Sequence, residues 1–186
     1  RSLVIKNKGD LSLALRAFSS AKSYFDVVPS SFKLGSGEIF SLSVDFFGKD
    51  LGVHTGYIEI SGNGVKGFVP IIVQVNSEGV SGIVDLNVDE MFKRVDSGEE
   101  ILLELEIGGF ELGVVDVYYF IKDLNGKVVV EDKVSRTISE VVSLSKTLGI
   151  PTGLKSGNYV VGVEVRQGEF LFADSEFIVI GDVELP

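Results

Sequence analysis

The chain has 186 residues, 45% of them hydrophobic, which predicts folded domains and excludes a disordered chain. It contains no cysteine, no tryptophan and one histidine, which excludes disulfides, cysteine-based zinc sites and thiol chemistry. The net charge is −10, divided into +2 over residues 1–77 and −12 over residues 78–186. This acidic balance disfavours nucleic-acid partners, because phosphate backbones repel it.

Segments with apolar residues at alternate positions, typical of half-buried β-strands, fill the first 77 residues. In chain order they are residues 2–6, 11–16, 25–28, 39–46, 52–60 and 65–75. Pro70 lies in the last of these. Because proline cannot donate a hydrogen bond to a neighbouring strand, we expect an edge strand or a bulge there.

A polar, glycine-containing joint, residues 76–82, precedes a second series of strand patterns. In chain order these are residues 83–88, 101–107, 114–122, 127–134, 139–148, 157–165 and 170–180. No window of a dozen residues has a 3.6-residue period, so almost no helix is expected. No run of about 18 apolar residues and no signal-peptide h-region is present, so the sequence predicts no membrane span and no signal peptide.

The two halves contain an internal repeat. Residues 52–60, GVHTGYIEI, align without a gap with residues 157–165, GNYVVGVEV. The repeat predicts two domains, residues 1–77 and 78–186, each of the size of an immunoglobulin-like sandwich. Only the second has a strand, residues 83–88, ahead of ILLELEI, so the first domain is predicted to lack its opening strand. Truncation of the chain and completion by a partner strand both explain this difference.

The residues Leu154-x-Ser156-Gly157-x-Tyr159 resemble the tyrosine corner of immunoglobulin-like and fibronectin type III-like sandwiches. The first half, with IKNKGD, FDVVPSSFKLGSGE, GVHTGYIEI and VPIIVQV, resembles the Ig-like repeats of the ASPM/SPD-2/hydin and PapD-like kind. Such repeats recur in large bacterial and archaeal surface proteins. The resemblance implies an all-β fold of two tandem Ig-like antiparallel β-sandwiches that serve as spacers, adhesive modules or scaffolds.

Three groups of residues are candidates for a functional or structural site. His54, the only imidazole, stands where the repeat expects the corner tyrosine, and we expect one of its ring nitrogens to bond to loop backbone. A metal-ligand or general-base role is the alternative. No recognisable motif supplies it with a serine, cysteine or second histidine, and no phosphate-binding or dinucleotide-binding glycine pattern is present.

The second group is Asp85-x-Asn87-x-Asp89 followed by Glu90, which resembles the opening of a calcium loop because oxygen ligands stand at alternate positions. Glu90 occupies the place where an EF-hand loop requires glycine. The same spacing also results when a strand turns its acids to water. Both interpretations stay open, and the sequence suggests no cofactor other than calcium. The position beside the joint weakly resembles the calcium-stiffened joints of cadherins.

The third group is Tyr118 and Phe120. Period-2 alternation in DVYYFIKD places these two aromatic side chains on the face opposite the core, as an exposed pair flanked by charges. Such a pair can stack on a sugar, anchor a protein partner or lie under a neighbouring domain.

The sequence favours a non-enzymatic structural or adhesion spacer of a larger extracellular or cell-surface protein, with the other domains of that protein as its partners. Arg1, in place of an initiator methionine, indicates a fragment whose targeting segments lie elsewhere. One alternative is a carbohydrate- or protein-binding module that uses Tyr118 and Phe120. A second is a PapD-like chaperone or assembly factor completed by a partner strand.

Overall fold

A computed structural model describes residues 1–79 and 81–182. The predicted all-β sandwich fold is confirmed, and the described part of the chain contains no α-helix, only one short 3-10 helix, Glu90–Phe92. The strands are β1 Ser2–Lys6, β2 Leu13–Ser19, β3 Phe25–Val28, β4 Ser31–Leu34, β5 Ile39–Phe46, β6 Gly52–Gly62, β7 Val65–Val75, β8 Ile83–Val88, β9 Arg94–Val95, β10 Glu100–Gly108, β11 Gly113–Asp123, β12 Val128–Ile138, β13 Val142–Gly149, β14 Gly157–Gln167 and β15 Phe170–Ile180.

The chain divides into two compact units that are not contiguous in sequence. The first contains Arg1–Lys49 and Thr55–Val73, and the second contains Asp50–His54 together with the chain from Gln74 onwards. Strand β6 therefore begins in the second unit and continues in the first. The sequence-based boundary after residue 77 stays a prediction.

The first unit packs a three-stranded sheet, in the order β1-β5-β3, against a four-stranded sheet, in the order β4-β2-β6-β7. Alternate side chains of these strands form the core because successive residues of a strand point to opposite faces. Fully buried members include Phe25, Leu34, Leu42 and Ile58. Pro70 lies in β7, which is an edge strand as predicted.

The second unit packs the sheet β13-β10-β8 against the five-stranded sheet β12-β11-β14-β15-β9. The inward rows of β10 and β14 lie at the centre of the core, and Leu103 and Val163 are completely buried. Strand β9 pairs parallel with the end of β15 and extends that sheet beyond its antiparallel strands. The chain thus leaves the sheet of β8 and joins the opposite sheet through β9.

The two units differ at their opening strands. In the second unit β10 pairs with both β13 and β8, whereas β1, among the described residues, pairs only with β5. Among the described residues the first unit has no strand that corresponds to β8; the predicted loss of an opening strand stays a prediction. One edge of β1 is therefore unpaired in this part of the chain.

The predicted joint, residues 76–82, is not a free linker at its start. The Asn76 side-chain oxygen accepts a hydrogen bond from the Ala173 N–H, and Ser77 exchanges hydrogen bonds with the backbone of Leu171. Val80, in the same joint, lies outside the described residues. No helix in the described ranges has the length and apolar character needed to cross a bilayer.

Candidate ligand-binding cleft

Polar side chains lie side by side on the outer face of the five-stranded sheet in the second unit. They come from three neighbouring strands, because β11 pairs with β12 on one side and with β14 on the other. Tyr118 stands opposite Lys133 on β12 and Glu164 on β14. In the next outward position Asp116 stands opposite Ser135 and Arg166. Among these pairs Asp116 and Arg166 carry opposite charges, an arrangement that stabilises a cross-strand pair.

These side chains line an open cleft with a volume of about 630 Å³. Two hydrogen bonds join β11 and β12 beside the cleft. The Ser135 hydroxyl donates one of 2.6 Å to Asp116 Oδ1, and the Tyr118 hydroxyl donates one of 2.7 Å to Glu131 Oε2. The Lys133 ammonium lies 4.7 Å from the centre of the Tyr118 ring, which is the range of a cation–π contact. The cleft therefore offers charged donors, carboxylate acceptors and one aromatic ring.

Tyr118 keeps its proton over a wide pH range. Burial raises the pKa of its hydroxyl to about 12, with a further contribution from the hydrogen bond to Glu131. At neutral pH the cleft thus presents a neutral phenol beside Lys133, Glu164 and Arg166. These groups offer hydrogen-bond donors and acceptors to a polar ligand.

Phe120 does not belong to the accessible surface, so the prediction of an exposed aromatic pair is wrong for this residue. Its side chain is 0% exposed. The ring packs where Gly162 has no side chain: a Cβ atom there would lie 2.5 Å from Phe120 Cζ. The Lys122 ammonium lies 4.0 Å from the centre of the same ring. Alternation identified the outer face correctly, but the outer face is itself covered at this end of β11.

Lys122 and Glu164 bind one backbone segment of the second unit, Asp50–His54. The Lys122 ammonium donates a 2.8 Å hydrogen bond to the Val53 carbonyl oxygen, and the Val53 N–H donates one of 3.0 Å to Glu164 Oε1. Lys122 Nζ lies 3.7 Å from Glu164 Oε1. Burial lowers the pKa of Lys122, and the nearby Glu164 carboxylate partly opposes this change. Gly52 allows the close approach, because a Cβ there would lie 2.7 Å from Glu164 Oε1.

The four calcium-ligand candidates, Asp85, Asn87, Asp89 and Glu90, make separate contacts. Asp85 and Asn87 lie on the exposed face of β8, and Asn87 donates a 3.3 Å hydrogen bond to Glu104. Asp89 caps the short 3-10 helix by accepting from the Met91 N–H, while Glu90 pairs with Lys93 at 2.9 Å. Within residues 1–79 and 81–182, no three histidine or acidic side chains are close enough together to hold a metal ion. The calcium-loop and solvated-strand interpretations of this segment are both untested.

The two corner residues bond to loop backbone. The Tyr159 hydroxyl donates a 2.8 Å hydrogen bond to the Lys155 carbonyl oxygen, as the tyrosine-corner pattern requires. His54 Nε2 lies 2.8 Å from the Asp50 carbonyl oxygen. Because a carbonyl oxygen only accepts, this nitrogen carries the proton in that bond. Both residues hold the start of a repeated strand against its preceding loop.

Sequence reasoning missed most of the cleft. Lys133, Ser135, Glu164 and Arg166 lie on strands that were predicted, but nothing in the sequence showed that they share a surface. The available signal was the pattern of charged residues at outward positions of three consecutive long strands. It becomes informative only when the pairing register of β11 with β12 and β14 is known.

No protein-family model matches this sequence, and the search of the curated proteins gives no match. Three solved structures illustrate the likeness of fold. The CARDB domain of the PF1109 protein from Pyrococcus furiosus, in complex with di-metal ions, is 15% identical, with a TM-score of 0.40, over 59% of this chain and 95% of that chain. The YadV chaperone is 8% identical, with a TM-score of 0.37, over 96% of this chain and 91% of that chain.

The third is a glycosyl hydrolase family 2 member from Bacteroides cellulosilyticus DSM 14838, 14% identical, with a TM-score of 0.37. The match covers 97% of this chain but only 28% of that chain. At such identities and scores these likenesses assign neither a family nor an activity. What the chain's own strand order establishes is an all-β sandwich architecture.

Proposed function

We propose that this chain is a non-enzymatic spacer or adhesion module of a larger extracellular or cell-surface protein. Its partners are the other domains of that protein. An Ig-like topology supports this assignment, because the second unit divides its strands between two antiparallel sheets and its chain crosses from one to the other through β9. Modules of this kind set the distance between attached domains and transmit tension.

The observation that carries the proposal is the parallel pair of β9 and β15. The Val179 N–H donates a 2.8 Å hydrogen bond to the Lys93 carbonyl oxygen, and the Gly181 N–H donates one of 2.8 Å to Val95. Strand β9 leads back towards the amino terminus and β15 leads on to the carboxyl end. Tension applied along the chain therefore pulls these parallel strands in opposite directions, so both hydrogen bonds are loaded in shear and must break together.

Single-molecule stretching of the full chain tests the proposal. The variant Val179→Pro removes the N–H that bonds to Lys93 and is expected to lower the unfolding force of the second unit. The control Ser135→Ala removes a hydrogen bond to Asp116 that lies outside this pair, and it is expected to leave the force unchanged. Circular dichroism verifies that both variants are folded. An unchanged force in folded Val179→Pro would contradict a tension-transmitting role for this pair.

A second candidate function is the binding of a glycan or protein partner in the cleft around Tyr118. The mixture of an aromatic ring with Lys133, Glu164 and Arg166 favours it, since polar ligands are held by such convergent groups. The variant Tyr118→Ala should abolish binding on a glycan array or to a surface partner, whereas Val114→Ala, on the same strand outside the cleft, should not. Equal binding by the two variants would exclude the cleft.

A further inference from the structure

Two strand edges of the first unit lie open on the same side of its sandwich. Strand β1 ends the sheet β1-β5-β3, and β7 ends the sheet β4-β2-β6-β7. Two hollows lie between these edges, with volumes of about 220 and 360 Å³, and residues of β1 and β7 line both. They form one groove along the open side, called the β1–β7 groove below. All of its lining residues belong to the first unit.

The floor of the β1–β7 groove is apolar and incompletely covered. Leu3 and Ile5, the inward residues of β1, are only half-buried. The inward residues of β10 in the second unit, by contrast, are at most 2% exposed. The difference has a simple cause, because β8 covers that side of β10 and no strand of the first unit covers β1. Covering the half-buried row would remove apolar surface from water, which is favourable.

Strand β1 has backbone N–H groups on its open edge that can bond to another strand. Arg1 and Val44 exchange both backbone hydrogen bonds, and the Asn7 N–H donates to Glu38, so the odd-numbered residues of β1 bond to β5. In an antiparallel ladder the intervening residues then point their N–H groups the other way. Val4 is one of these, and its side chain is 63% exposed. Its N–H therefore faces the open edge.

The charges along the groove have one sign. Arg1, Lys6, Lys8 and Lys66 line it, and no carboxylate is among its lining residues. Lys66 also forms a salt bridge, with its Nζ 3.0 Å from Glu59 Oε2. An acidic segment therefore complements the rim, because opposite charges across an interface favour association.

The second unit shows what occupies the corresponding place. Its strand β8 pairs antiparallel with β10 and buries Leu86 and Val88, while Asp85 stays exposed. The carboxylates of Asp174 and Glu176 accept hydrogen bonds from the N–H groups of Leu86 and Val88. One repeat length earlier, 105 residues, the groove has Val69 and Ile71 in place of these acids. The first unit thus presents an apolar wall where the second supplies carboxylates for its own strand.

We propose that the β1–β7 groove is a docking site for an extended, acidic strand of a second polypeptide. This strand adds antiparallel to the free edge of β1, with apolar residues at alternate positions facing the groove and carboxylates facing the basic rim. The backbone hydrogen bonds supply affinity and the alternating side chains supply specificity. The inference is independent of the spacer function proposed above.

The test uses the full chain and a peptide with the sequence of residues 83–91, IVDLNVDEM, which has the required alternation and acidity. Calorimetry should detect saturable binding, and hydrogen exchange should slow at the even-numbered amides of β1. A control peptide with aspartate in place of Leu86 and Val88 should not bind. Binding of both peptides alike, or of neither, would overturn the proposal.

The variant Val4→Pro removes one N–H from the free edge and leaves the β1–β5 ladder intact. It should weaken peptide binding by about tenfold or more, because a backbone hydrogen bond is lost in a buried site. Val4→Thr, which keeps the N–H, should bind as the parent does. Equal weakening by both variants would contradict pairing along β1.

Two further outcomes would replace the proposed occupant. If the free peptide fails to bind but the same nine residues, joined ahead of Arg1, raise the melting temperature, the strand comes from the chain itself. If the protein alone forms dimers that Val4→Pro dissociates, the occupant is a second copy. Sedimentation analysis distinguishes this case from peptide binding.

Discussion

His54 and Tyr159 make equivalent hydrogen bonds in the two repeats, each to the carbonyl oxygen of the residue four positions earlier. The two distances are the same, 2.8 Å from His54 Nε2 to Asp50 and 2.8 Å from the Tyr159 hydroxyl to Lys155. The two side chains differ in size and chemistry, but each places one donor at the same point of the same turn. The repeat thus preserves a backbone anchor while changing the residue that makes it.

The variant Tyr159→Phe should lower the free energy of unfolding of the second unit by about 1 kcal/mol, the net contribution of one hydrogen bond. The ring remains to fill its buried position, so the change isolates the hydroxyl. Urea unfolding monitored by circular dichroism measures it. Tyr118→Phe, which loses a bond to the exposed Glu131, is the control and should cost less. An equal loss in both variants would contradict a special role for the corner.

Gly162→Ala should destabilise the protein by about 1–3 kcal/mol, because the new methyl group overpacks a filled site. Its Cβ would lie 2.5 Å from Phe120 Cζ, and the completely buried ring has no space into which to move. Gly149→Ala is the matched control, since no atom lies within 4 Å of a Cβ there. Thermal unfolding compares the two. A neutral Gly162→Ala variant would show that Phe120 is not enclosed at this face.

Lys122 should make the stability of the protein rise with pH in the alkaline range. Its pKa in the folded state is lowered by burial from 10.5, so between the folded value and 10.5 the unfolded chain binds more protons. The free energy of unfolding therefore increases with pH through this window. Lys122→Met should lack this increase. Urea unfolding of both proteins at a series of pH values gives the difference, and parallel curves would contradict the prediction.

Tyr118 should oppose that trend at still higher pH. Its pKa is raised from 10.0 to about 12, so between these values the folded protein keeps a proton that the unfolded chain releases. Its contribution is complete below pH 10 and is lost as the pH rises towards 12. Difference absorbance of the phenolate, wild type against Tyr118→Phe, measures this ionisation. Glu131→Gln should move it to lower pH by removing the neighbouring negative charge.

Calcium and its removal should leave the melting temperature unchanged. Asp89 is engaged as a helix cap, Glu90 is paired with Lys93, and Asp85 and Asn87 lie outward on β8. Differential scanning calorimetry with calcium and then with chelator checks this. A ligand that binds only the folded state raises its stability, so a higher melting temperature in calcium would restore the metal-site hypothesis. Asp85→Asn would then have to abolish the rise.

The sequence by itself determined the features that depend on neighbouring residues. Alternation located most strands, because side chains of a strand point alternately to two faces. The repeat identified the corner positions His54 and Tyr159, and the strand count indicated that β1 would lack a neighbour. The short strands β4 and β9 were not predicted, since four and two residues are too few to establish a period.

Only the tertiary structure decided which surfaces are covered. Alternation placed Tyr118 and Phe120 on one outer face but carried no information about whether something packs on that face. The Phe120 ring packs in the space beside Gly162 and beneath the Lys122 ammonium, whereas Tyr118 lines a cleft. The reach of Lys122 to Val53 and the parallel pairing of β9 with β15 also join residues far apart in sequence. Such contacts depend on sheet register and chain path, which no local pattern encodes.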